Sequence, residues 1–330
     1  MPFLCGIRLL RKDGWTLASI YELAGRIREN VAKVIIGKGE VIDSMIVSIL
    51  CGGHILLEDV PGTGKTTLAK ALAKTIGCTC TRIQFTPDLL PSDLTGINFY
   101  NQKEGEFVVR KGPVFTNILL ADEINRATPR TQSSLLECME EKQVTIDRET
   151  FALELPFLVI ATQNPVETQG TFVLPEAQLD RFLMRLSMGY PEKKDELGIL
   201  SSRKESDPLA ALEPQVSREE LLEAGREVKK IRVSDAVKEY LVEIAEASRK
   251  DEDIKLGVSP RGTLALMNAS MACAAIAGRD FVTPDDVKKM AGPVLAHRLI
   301  CKGYTVMKSG NPALEKVKEL LARVPAPVEG

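Results

Sequence analysis

The sequence predicts an α/β protein in which a mainly parallel sheet lies between layers of helices, followed by a second, helical domain. Three observations carry this. Short, continuously apolar segments alternate with helix-like segments through the first 190 residues, the pattern of strands buried on both faces of a sheet. The alternation stops at Gly189-Tyr190-Pro191. Beyond that point helix-capping signals recur and no strand pattern is found.

The strands are expected at His54–Glu58, Arg82–Phe85, Ile118–Asp122, Phe157–Ala161 and Leu183–Ser187. Gly64 to Ile76 reads as a helix, with Leu68, Ala69, Leu72 and Ile76 on one face. A second helix opens at Thr128-Pro129, Thr as N-cap and Pro at the first helical position, and runs to about Glu141. Two inserted hairpins are expected. One pairs Asn98-Phe-Tyr with Glu106-Phe-Val-Val; the other pairs Gln143–Ile146 with Thr150–Leu153 across Asp147-Arg-Glu. In the helical half, Ser217-Arg-Glu-Glu220 is a capping box. Ser234, Ser259-Pro260 and Thr283-Pro-Asp-Asp286 open three more helices. The expected division is an extension over residues 1–16, a core over 17–190 and a helical domain over 191–330.

The chain has 330 residues, 44% hydrophobic and 27% charged, with a net charge of -2. This composition is that of a globular protein, and no global field draws it to nucleic acid or to an anionic membrane. The most apolar run, Met45–Leu57, is shorter than the roughly 20 residues a bilayer demands. The first residues lack the features of a secretory signal. The seven cysteines are expected to be reduced, mostly buried thiols of a cytoplasmic protein. Cys78 and Cys80 have no second Cys/His pair beside them to complete a zinc site.

The chemistry begins with Asp59-Val60-Pro61-Gly62-Thr63-Gly64-Lys65-Thr66-Thr67. Gly62 and Gly64 permit the left-handed backbone that lets amide groups cradle phosphates, and the loop feeds a helix N-terminus that attracts an anion. Lys65 is placed to reach the outer phosphates of ATP and Thr66 to bind Mg²⁺. The general pattern asks for glycine where this chain has Asp59, so that carboxylate must point away from the phosphates. The second feature is Ile118-Leu-Leu-Ala-Asp122-Glu123, an apolar strand ending on two acids. Asp122 is the expected Mg²⁺ residue and Glu123 the group that activates water. Asn164, in Ala161-Thr-Gln-Asn-Pro165, ends another strand at the same edge. Arg181 and Arg261 are candidates for the cation that phosphoryl transfer needs; composition alone does not separate them from the other arginines.

Pro61–Thr67, Ala121-Asp-Glu-Ile-Asn-Arg-Ala127, Ala161–Pro165 and Leu174-Pro-Glu-Ala-Gln-Leu-Asp-Arg-Phe182 together resemble the MoxR family of AAA+ ATPases, on the magnesium chelatase side of that superfamily. The resemblance covers the chain from about Leu17 to the last helices. It implies a core sheet of strand order 5-1-4-3-2 and an all-α lid, with ATP between them. It maps Asn164 to the first sensor, Arg181 to a finger reaching a neighbour's ATP, and Arg261 to the second sensor on the lid. Ile36 and Gly37, in Val34-Ile-Ile-Gly37, correspond to the segment that packs on adenine. The nucleotide-binding set is then Ile36, Gly37, Pro61, Gly62, Thr63, Gly64, Lys65, Thr66, Thr67 and Asp122. It further implies a homo-oligomeric ring, usually a hexamer, a partner carrying a von Willebrand factor A domain, and chaperone-like remodelling of a protein complex. No nucleic acid or membrane insertion is expected. A DNA-dependent motor and a nucleotide switch with little turnover are the rival readings; the near-neutral charge weighs against the first and the paired Asp122-Glu123 against the second.

Overall fold

The structure, a computed structural model, describes residues 17–60, 62–164, 170–205, 207–302 and 311–327. The extension expected over residues 1–16 lies outside them. Two helices, α1 (Leu17–Ala32) and α2 (Gly39–Leu50), precede the first strand. Neither figures in the expectation from sequence. Helix α1 buries Ile20, Leu23, Ala24, Ile27 and Val31, one stripe at helical spacing. The apolar run at Met45–Leu57 proves to be two elements: α2 stops at Leu50, and β1 (Ile55–Glu58) begins after a turn.

The chain then alternates as anticipated: α3 (Lys65–Thr75), β2 (Cys80–Gln84), the short α4 (Pro91–Thr95), the hairpin β3 (Gly96–Asn101) and β4 (Glu106–Lys111), and β5 (Ile118–Asp122). Next come α5 (Pro129–Glu141), the hairpin β6 (Gln143–Ile146) and β7 (Glu149–Ala152), β8 (Leu158–Gln163), the single turn α6 (Glu176–Leu179) and β9 (Met184–Leu186). Five strands form one parallel sheet in the order β2-β5-β8-β1-β9. Counted along the chain as sheet strands only, this is the expected order 5-1-4-3-2. Ile55, Leu57, Ile118, Leu120, Leu158 and Ile160 join the core on one face. Leu56, Leu119, Ala121, Val159 and Ala161 join the core on the other. This two-sided burial is why the strands read as continuous apolar runs.

The second half is helical: α7 (Lys193–Glu205), α8 (Arg218–Val228), α9 (Asp235–Lys250), α10 (Pro260–Ile276), α11 (Pro284–Leu295) and α12 (Pro312–Arg323). Ser217, Ser234, Ser259 and Thr283 each accept a hydrogen bond from the backbone N–H three residues on, as their sequence contexts predicted. Thr128 occupies the N-cap of α5 without such a bond; its hydroxyl lies against that of Thr131 instead. The helical half also holds a small antiparallel ribbon, β10 (Ile254–Leu256) with β11 (Ile300–Cys301). Two or three residues are too few to display an alternation, so the sequence reading had no strand there. These helices share the core that covers one face of the sheet, with α10 packed on α1 and α2. Among the described residues no helix is long and apolar enough to cross a membrane.

The topology has one consequence for chemistry. β5, β8 and β1 are neighbours and parallel, so Asp122, Asn164 and the loop after Glu58 emerge side by side at the carboxyl edge. Open α/β sheets bind ligands at that edge.

Candidate functional site

The loop from Asp59 to Lys65 has the geometry of an anion cradle. Gly62 and Gly64 adopt φ of 86° and 91°, a region that side chains with a Cβ rarely occupy. Gly64 is the N-cap of α3, so the free amide groups of the helix start face the loop. Pro61 lies outside the described residues. The Lys65 ammonium donates to the Asp59 carbonyl at 3.0 Å, folding its side chain back along the loop. The Asp59 carboxylate turns the other way and is buried. It accepts from the Ser187 hydroxyl at 3.0 Å and from the backbone N–H groups of Met188 and Gly189. The departure from the general loop pattern is therefore a tie to the exit of β9, with its charge directed away from the cradle.

The two acids are held by strands on either side of them. Thr162 of β8 donates its hydroxyl to Asp122 Oδ1 at 2.6 Å and accepts the Glu123 N–H at 2.9 Å. Arg82 of β2 donates twice to Asp122 Oδ2, at 3.0 and 2.7 Å. Gln84, two residues along the same strand, donates to Glu123 Oε2 at 2.7 Å, and Arg126 pairs with the same oxygen at 3.1 Å. Glu123 itself has φ 55° and ψ 52°. A non-glycine residue in that region is uncommon; the Thr162 hydroxyl, accepting the Glu123 N–H, helps hold it there. Asn164 follows directly on β8 and is buried between the exits of β5 and β1.

Ile36 and Gly37 lie between α1 and α2, beside the start of the helical half. Gly37 has φ 73°, and a Cβ there would overlap the Asp195 carboxylate. A Cβ at Gly198 of α7 would come within 3.4 Å of Ile36, and Lys38 donates to the Tyr190 carbonyl at 2.9 Å. Met188 and Gly189, whose N–H groups donate to the Asp59 carboxylate, join this segment to the phosphate loop. The elements expected around a purine and its phosphates are thus contiguous.

Arg181 and Arg261 are not part of that edge. Arg181 Nε donates to Glu140 Oε2 and Arg261 Nη2 to Glu140 Oε1, both at 2.7 Å. The cleft they line is walled by Gly52, Gly53 and His54, which precede β1, and by Leu183, which precedes β9. This is the amino edge of the sheet, separated from the loop by the length of β1, roughly 13 Å at strand rise. Arg261, expected as the second sensor on the lid, thus lies beside Arg181 at the amino edge of the sheet. The reason is packing: α10 buries Leu266, Ala269, Ala272 and Cys273 in the core shared with α1 and α2, and Cys51 at the end of α2 donates to the Asn268 carbonyl of α10 at 3.4 Å. The start of α10 is thereby held at the amino edge, next to Arg181. The Arg181 hydrogen bond, reinforced by Arg261, keeps the Glu140 carboxyl below the usual carboxylate range.

Arg82, Gln84, Thr162 and Glu140 escape sequence reasoning. Arg82 and Gln84 sit two apart on a strand, which puts both side chains on one face; that spacing was the available signal. Nothing in the sequence joins Glu140 to Arg181 and Arg261, because the contacts are tertiary.

Comparison with known proteins agrees with this geometry. Residues 54–184 match the ATPase family associated with various cellular activities, and residues 246–320 match the AAA lid domain. The chain is 48% identical over 310 residues to the uncharacterised protein YeaC of Bacillus subtilis, covering 94% of this chain and 97% of YeaC. It is 41% identical over 292 residues to the chaperone MoxR1 of Mycobacterium tuberculosis, covering 86% and 77% respectively. A crystal structure from Cytophaga hutchinsonii, 39% identical, superposes with a TM-score of 0.87 over 94% of this chain and 97% of that one.

Proposed function

The chain belongs to the MoxR family of AAA+ ATPases, and on that premise we propose that it hydrolyses ATP with Mg²⁺ to remodel a partner protein complex, working as a ring whose subunits complete one another's sites. The observation that carries this reading is the division of the catalytic set between two edges of one sheet: Lys65, Asp122, Glu123 and Asn164 at the carboxyl edge, Arg181 and Arg261 at the amino edge. A chain that carries both halves of a site at opposite edges can unite them only by stacking head to tail on a copy of itself. Heterologous contacts of that kind close into rings.

The residues fit the nucleotide and its cation. The amide groups at the start of α3 and Lys65 bind the phosphates; Thr63 and Thr67 flank that contact, and Ile36 and Gly37 meet the base. The Thr66 hydroxyl and the Asp122 carboxylate are the hard oxygen donors that Mg²⁺ prefers. Bound there, the cation would neutralise charge on the outer phosphates. Glu123 takes the proton of the attacking water, and Asn164 orients that water. Arg181 and Arg261 of the adjacent subunit meet the charge that develops in the transition state; an arginine so placed accelerates such reactions on the order of 10³–10⁵-fold. Rotation between the halves at Gly189–Pro191 transmits turnover to the bound client. A hexameric ring in the cytoplasm, with a von Willebrand factor A domain protein as partner, is the assembly we infer from family membership.

The test is phosphate release by the Glu123→Gln variant together with its binding of a fluorescent ATP analogue. Retained binding with hydrolysis lost at least a hundredfold supports Glu123 as the base; unaltered release rejects it. The same variant, stalled with ATP, should retain the client in a pulldown from which the Lys65→Ala variant recovers none.

A further inference from the structure

Among the described residues of the helical half, Arg298 is a buried arginine whose partners are concentrated on a single segment. Arg298 follows α11, and its side chain is 3% exposed. Its Nε donates to Asp180 Oδ1 at 2.6 Å. Its Nη2 donates to the carbonyl oxygens of Asp180 at 3.1 Å and Phe182 at 2.8 Å, the residues on either side of Arg181. Its Nη1 donates to the Leu183 carbonyl at 3.2 Å and to that of Val294, and lies 2.8 Å from His297 Nε2. Asp180 has a second partner in the helical half: Ser259, the N-cap of α10, donates to its Oδ2 at 3.3 Å. The same Ser259 hydroxyl accepts from the Gly262 N–H and so defines the first turn of α10, which carries Arg261.

We propose that Arg298 is a positioning residue for the Arg181–Arg261 pair, acting through Asp180 to hold both guanidinium groups in one fixed arrangement for delivery to the adjacent subunit. The inference rests on the reading above, in which that pair serves a neighbour's nucleotide. Burying a guanidinium costs more than burying a hydrocarbon of the same size, and an apolar side chain would fill the space at least as stably. What only arginine supplies is a rigid fork of five donors. That fork is applied to the backbone on both sides of Arg181, in the stretch between α6 and β9. Glu140 completes the arrangement by bridging the two guanidinium groups, so the pair is aligned before a neighbour arrives. A displacement of about 1 Å in a catalytic group can cost on the order of 10²-fold in rate.

The experiment uses full-length Arg298→Lys and Asp180→Asn variants; Asp180 is partly exposed, so the second tolerates substitution more readily. Each is tested for binding of fluorescent ADP, for phosphate release alone, and for phosphate release in an equimolar mixture with Glu123→Gln. In the mixture, Glu123→Gln subunits present intact arginines to variant subunits whose own loops are intact. The expected result is ADP affinity within about twofold of native, release alone lowered at least tenfold for both variants, and release recovered on mixing, as also in a control mixture of Arg181→Ala with Glu123→Gln. Native release rates for Asp180→Asn alone overturn the proposal. So does lost activity that mixing does not recover while the Arg181→Ala control recovers. Failure of that control as well removes the premise that Arg181 acts on a neighbour, and the proposal with it.

Discussion

Asp59 of the loop before α3 accepts the backbone N–H of Gly189 at 3.0 Å, joining that loop to the segment that leads into the helical half. With the Ser187 and Met188 bonds, one buried carboxylate ties the loop to the exit of β9. The residue that breaks the general glycine pattern is thereby a structural link between the loop and the start of the helical half. Asp59→Ala should lower stability by about 2–4 kcal/mol, the cost of leaving buried donors unpaired around a lost charged acceptor. Denaturant unfolding with the m-value unchanged is the check. Asp59→Gly, which restores the general pattern, should leave nucleotide affinity no tighter, since the carboxylate faces away from the phosphates; a marked gain in affinity would contradict its placement.

Gln84 and Arg126 together restrain the carboxylate of Glu123. Hydrogen bonds to charged groups are worth roughly 1.5–3 kcal/mol. Replacing Gln84 by Leu should free the carboxylate and raise the basal rate of phosphate release, by up to about tenfold if the restraint limits turnover. Steady-state release without any partner protein measures this. A fall in rate would assign Gln84 to orienting Glu123 productively.

His54 sets an acid limit on the fold. Its Nδ1 accepts the Val159 N–H at 3.0 Å, which leaves Nε2 to donate to the Met139 carbonyl at 3.1 Å, a pattern only the neutral ring satisfies. Burial pushes its pKa down from 6.5 to about 4. The folded value lies below the unfolded one, so the stabilisation is complete above pH 6.5 and is lost as the pH falls through that interval toward 4. The loss is on the order of 3 kcal/mol. Burial and the Arg298 charge also push His297 down, which adds to the same slope. Urea unfolding between pH 7 and pH 4.5 should show stability falling, and His54→Gln should flatten the curve.

Much of this was legible from the chain, for reasons that are local. The apolar strands, the glycines before Lys65 and the acids closing Ile118–Asp122 are contiguous in sequence, and so are the caps at Ser217, Ser234, Ser259 and Thr283. What was not legible is what folding brings from afar. The α1 stripe spreads over several turns with no acid in its first turn and no base in its last, and α2 merges with β1 into one apolar run. Arg82 and Gln84 acquire a role only when β2 lies beside β5. Nothing near Arg261 in the sequence tells which edge it serves; packing of α10 against α1 and α2 brings it to the amino edge, onto the Glu140 that Arg181 also holds.

In the proposed ring, two edges of the sheet, from two subunits, make one site. The most direct measurement is phosphate release by Lys65→Ala, by Arg261→Ala, and by their equimolar mixture. Each variant alone should be nearly inactive. The mixture should regain about a quarter of the native rate, because in random rings about one neighbour pair in four joins an intact loop to an intact arginine pair. A mixture that stays as inactive as its components would contradict the shared site.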